Sequence, residues 1–111
     1  MPSHLQIVTT APTREDAQNI AAMLVERRLA ACVQVAGPIS STYRWEGKIE
    51  TAEEWQCVVK TRSALFAAVE RAIRELHPYQ VPEIIATAIE VGSQAYLDWI
   101  DGETGRDAES S

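Results

Sequence analysis

The stretch Tyr43-Arg44-Trp45-Glu46-Gly47-Lys48-Ile49 decides the fold of this chain. It is the middle of a longer run, Ala30 to Thr61, that reads as two strands folded back on each other. On the return limb Ile49, Thr51, Trp55, Cys57 and Val59 occupy odd positions, while Glu50, Glu54, Gln56 and Lys60 occupy even ones. A period of two gives a strand one apolar and one polar face. Glu46-Gly47 supplies the turn, because glycine tolerates the positive φ that tight hairpins require.

The hairpin is too long for its domain. Each limb runs about 14 residues, against about 5–6 for an ordinary strand. At ~3.3 Å per residue a straight limb spans ~45 Å, whereas a compact domain of this size is only ~35 Å across. Gly37-Pro38 is the expected bend, since proline cannot donate to a ladder and glycine often marks a bulge. Tyr43, Trp45 and Ile49 still lie near the tip. Leaving such side chains in water forgoes about 1.5–3 kcal/mol each. Another copy of the chain is the simplest cover.

The rest of the chain supplies the partners of this ribbon. Leu5 to Thr10 is a short apolar strand, ended by Ala11-Pro12. Thr13 is placed to cap a helix carrying Ala17, Ile20, Ala21, Leu24 and Val25 at helical spacing, closed by Arg27 and Arg28. Ser63 is placed to cap a second helix with Leu65, Phe66, Val69, Ile73 and Leu76 as its buried stripe. His77-Pro78 stops it. Tyr79 to Glu83 is a proline-stiffened loop. Ile84 to Val91 reads as the last strand, and Ser93 caps a final short helix. From Gly102 to Ser111 no large apolar residue occurs, so a disordered tail is expected over 102–111, leaving one domain over 1–101. The order strand, helix, strand, strand, helix, strand predicts an α+β, ferredoxin-like βαββαβ antiparallel sheet with an extra C-terminal helix.

Composition narrows the function classes. The chain has 111 residues and a formal net charge of −6, which argues against nucleic acid as a partner. No apolar run approaches the ~20 residues of a membrane helix, so no membrane partner is expected. The N-terminus lacks a secretory layout, and a cytoplasmic location is the default expectation. The two cysteines, Cys32 and Cys57, fall too far apart along the hairpin for a disulfide, with Val35 or Ala36 expected to face Cys57.

Enzyme signatures are absent: there is no phosphate loop, no Cys-x-x-Cys and no nucleophile elbow. Single residues remain. Cys32 is a thiolate ligand, a nucleophile or a small buried hydrophobe. His77, at a helix end, is a metal ligand, a proton carrier or a cap. Tyr43, Lys60, Tyr79 and Glu83 suit a cleft in which a few polar groups orient a small ligand. Asp16, Glu50, Glu53 and Glu54 form no cation cage and are expected in solvent.

Several motifs together resemble one family. They are Thr9-Thr10-Ala11-Pro12, Leu29-Ala30-Ala31-Cys32-Val33, Tyr43 to Lys48, Lys60-Thr61, His77-Pro78-Tyr79-Gln80-Val81-Pro82-Glu83-Ile84 and Tyr96 to Ile100. This pattern resembles the CutA divalent-cation tolerance proteins. The resemblance implies a homotrimer, broadly like the trimeric PII signalling proteins. It also implies a link to copper and other divalent metals, and a cleft between subunits. Some copper-binding members carry Cys at the place of Thr9 and a second His at the place of Leu76. Here the remaining candidate metal ligands are His77 and Cys32. The expected protein is non-enzymatic, with metal or small-ligand binding at Cys32, Tyr43, Lys60, His77, Tyr79 and Glu83. The alternatives are a structural or adaptor trimer without metal binding, and a Cys32-dependent enzyme.

Overall fold

A computed structural model describes residues 2–105. The elements run β1 (His4–Ala11), α1 (Arg14–Glu26), β2 (Cys32–Trp45), β3 (Lys48–Arg62), α2 (Phe66–Leu76), β4 (Ile84–Ala88) and α3 (Gln94–Glu103). The strands form one antiparallel sheet in the order β2-β3-β1-β4. This is the expected ferredoxin-like arrangement.

Residue phase decides which face of the sheet each side chain meets. Ile7 on β1 and Cys57 and Val59 on β3 are fully buried, and they share a core with Ala17, Ile20 and Leu24 of α1 and Val69, Ala72 and Ile73 of α2. Both long helices therefore cover one face. The opposite phase meets α3. There Lys60 lies under Tyr96, His4 Nε2 is 2.8 Å from Asp101 Oδ1, and Arg62 Nε donates to Thr104 Oγ1 at 2.9 Å.

The hairpin closes as its turn chemistry requires. Glu46 and Gly47 both have positive φ, 50° and 80°, between the paired residues Trp45 and Lys48. A two-residue turn of this hand matches the twist of the strands it joins. The register also falls as expected: Val35 faces Cys57, and both cysteines are free thiols. Between Ala36 and Ile39 it shifts, so that Gly37 and Pro38 together stand against Trp55. Pairing of β1 with β3 ends at Ala11–Trp55. Beyond that point β2 and β3 continue alone as a two-stranded ribbon, and the molecule is 44 Å long.

Several local expectations are corrected. Ser63 does not cap α2; it opens a 3-10 turn and its hydroxyl donates to the Pro2 carbonyl. Leu76 is 47% exposed and Val25 44%, each in the last turn of its helix. β4 stops at Ala88 rather than Val91, since its neighbour β1 offers only Leu5 and the His4 carbonyl there. The tail does not begin at Gly102. α3 runs to Glu103, Arg28 donates to the Gly102 carbonyl at 2.8 Å, and Thr104 is buried. The remainder of that expected tail, 106–111, lies outside the described residues.

Candidate functional site

The sequence-predicted site residues occupy two separate places. The first is the C-terminal end of β1. The α2 helix stops at Leu76 because the next residue, His77, takes extended backbone angles ahead of Pro78. That turn carries the His77 ring back onto β1, where it is buried. Its Nε2–H donates to the Thr10 carbonyl, and its Nδ1 accepts from the Tyr79 amide at 3.1 Å. Both bonds are satisfied only by the neutral Nε2–H tautomer. The ring therefore has no lone pair left over.

Tyr79 continues the network. Its ring lies 4.7 Å from that of His77, and its hydroxyl donates to Glu54 Oε2 at 2.9 Å. Burial first, then the hydrogen bond and charge of Glu54, hold the phenol well above its usual range, with smaller pushes from Tyr43 and Asp16. Tyr79 thus stays a donor. Glu54 is buried rather than solvated as expected. Its partner lies 25 residues further along the chain, so no local pattern marks it. Tyr43 is exposed on the ribbon opposite Glu50, and Glu83 is exposed on the loop before β4.

The second place is under α3. Cys32, Lys60, Gln6 and Thr87 form one row of paired residues across all four strands. Lys60 Nζ sits 5.9 Å from the Tyr96 ring centroid, a cation–π contact. Burial first, then the electrostatic and hydrogen-bonding influence of Cys32, raises the Tyr96 phenol. Tyr96 and Gln6 were not foreseen as site residues. A Tyr in an amphipathic helix reads as packing, and only the sheet register brings Gln6 beside Lys60.

This division bears on metal and nucleophile chemistry. Gln6 marks the level of Cys32 and Thr10 the level of His77. Four residues of strand separate them, ~13 Å, before the lateral distance across the sheet is added. Cys32 and His77 are therefore neither co-ligands nor a catalytic pair within one chain. No group of three or more His, Cys, Asp or Glu side chains converges to hold a metal among the described residues. The donors of a single chain do not by themselves fit a closed metal site. Thr9 Oγ1, also buried, finds no hydrogen-bond partner among them.

A sequence model of the CutA1 divalent ion tolerance protein family matches residues 5–103. The chain belongs to that family. It is 49% identical over 98 residues to the divalent-cation tolerance protein CutA of Archaeoglobus fulgidus, covering 88% of this chain and 95% of that one. Human protein CutA is 44% identical over 91 residues, 82% of this chain but 51% of the human protein. Among solved structures, CutA1 from Oryza sativa superposes with a TM-score of 0.92 at 34% identity, covering 95% and 96% of the two chains. CutA from Archaeoglobus fulgidus, described as periplasmic, gives 0.89 at 47% identity, covering 92% and 99%. The Arabidopsis thaliana relative is named chloroplastic. CutA relatives thus bear names from more than one compartment, and the cytoplasmic location remains an expectation for this chain. No helix among the described residues is long and apolar enough to cross a membrane.

Proposed function

We propose that this CutA-family chain is a non-enzymatic divalent-metal tolerance protein that works as a homotrimer and binds a metal ion, copper in the first instance, or a small ligand at clefts between subunits. The observation that carries the assembly is the uncovered apolar surface. Among the described residues the ribbon beyond Trp55 has no third strand, and Ile49 there is 70% exposed. An isolated two-stranded ribbon is marginal in water. On the face shared with α3, Val58, Val8 and Ile85 form an apolar row across three strands, with Ile85 56% exposed. Sister subunits laid on these surfaces would bury both.

The same assembly supplies what one chain lacks for metal. Cys32 is a free, half-buried thiol, and soft Cu(I) favours thiolate. Burial pushes the Cys57 thiol up to about 11, which leaves it protonated and inert at neutral pH. His77 would have to surrender an internal hydrogen bond to bind. Cys32 is therefore the primary donor of the proposal, completed by groups of a neighbouring subunit, and that neighbour's own copies of Tyr43, Tyr79 and Glu83 would border the cleft. Titration of the assembled protein with Cu(I) under a competing chelator tests this. Cys32→Ser is expected to abolish saturable uptake, and His77→Ala to leave most of it. Unchanged uptake by Cys32→Ser would remove the thiol from the site.

A further inference from the structure

Between the end of β4 and the start of α3 lies an open groove of about 480 Å³. Gln6 and Lys60 line its sheet side, Ile89, Tyr96 and Leu97 its apolar side, and Glu90 also borders it. Among the described residues no carboxylate reaches ion-pair distance of the Lys60 ammonium, although His4, Arg27 and Arg74 each have such a partner. Lys60 is half-buried against an aromatic face, with less water around it than a surface lysine has. A cation so placed gains most from an anion that brings its own hydrogen-bond acceptors.

We infer that this groove binds a small organic monoanion, a carboxylate on an apolar or aromatic body. The carboxylate pairs with Lys60 and accepts from the Gln6 amide. The body lies on Ile89, Leu97 and the Tyr96 ring. Glu90, together with the chain's net charge of −6, disfavours a second negative charge, so nucleotides and inorganic phosphate are the wrong class. This deepens the small-ligand half of the proposed function and rests on it, but on residues remote from the His77 end.

The test is titration of the intact protein with benzoate, hexanoate, inorganic phosphate and ATP. It is followed by calorimetry and by NMR shifts of the Gln6 side-chain amide and the Leu97 methyls. Benzoate and hexanoate are expected to saturate and to move both signals. Lys60→Met is expected to weaken them at least about tenfold, the scale of one lost charge-assisted hydrogen bond. Lys60→Arg retains binding, and Glu90→Gln, a surface change that leaves the fold untouched, tightens it. Binding of phosphate or ATP in preference to the carboxylates, lost in Lys60→Met, would overturn the monoanion while leaving a small-ligand site standing. Absence of saturable binding by all four probes, or carboxylate binding indifferent to both Lys60 and Glu90, would overturn both.

Discussion

Replacing His77 by alanine is expected to lower the stability of the fold by about 2–4 kcal/mol, the sum of one buried and one part-buried hydrogen bond left half-made and a cavity beside Tyr79. The ring bridges the end of α2 and the last residues of β1: without it the Thr10 carbonyl loses its donor and the Tyr79 amide its acceptor. The Thr10 carbonyl is shut off from water, since Thr10 is itself buried, whereas the Tyr79 amide is only part-buried. With the ring gone, Tyr79 loses the aromatic face it leans on, and its hold on Glu54 loosens. A denaturant melt of His77→Ala, set beside its Cu(I) titration, separates the two roles open to this residue. A large fall in the midpoint with copper uptake retained supports the bridge. An unchanged midpoint with uptake lost would make His77 a ligand and contradict the hydrogen-bond assignment.

Gly37→Val is expected to cost about 1–3 kcal/mol, the usual scale of an overpacked site. A Cβ at this position would stand 2.6 Å from Trp55 Cδ1, 2.9 Å from Cγ and 3.1 Å from the Trp55 Cα. The indole could turn away, but the backbone contact would remain. Trp55 packs against the shared core, so its displacement opens the sheet where the hairpin leaves it. In a background where Trp45 and Trp99 are Phe, the emission of Trp55 should shift to the red and the unfolding midpoint should fall. A variant with the emission and midpoint of its parent would show that the bulge has more room than these distances allow.

The hairpin was legible in the sequence because its signals are local. Alternation fixes the face, Glu46-Gly47 the turn and Gly37-Pro38 the bulge, each within a few residues. The Thr13 and Ser93 caps were legible for the same reason: each accepts from a backbone amide three residues on. What escaped depends on distant neighbours. Leu76 keeps helical phase with Ile73, yet it is 47% exposed at the end of its helix. β4 is short because β1 runs out, which its own residues do not reveal. Thr104 looks like tail in sequence and is held by Arg62 and by its own bond to the Ile100 carbonyl.

The candidate site divides along the same line. Residue types pointed to His77, Tyr79 and Lys60, and all three make specific polar or aromatic contacts. Their grouping into one cleft did not survive within the chain, because Lys60 and His77 meet β1 four residues apart, at Gln6 and Thr10. Glu54 was hidden by its position among charged ribbon neighbours. Only the α2–β4 loop, folding back over the end of the sheet, converts it into a buried acceptor.

All of the functional reading leans on an unfinished surface: a ribbon without a third strand and an apolar row without a lid. Sedimentation velocity at micromolar concentration measures the consequence directly. The account predicts a single species at three times the 12.3 kDa chain mass, persisting on dilution. A folded, cooperative particle of 12.3 kDa under the same conditions would contradict it.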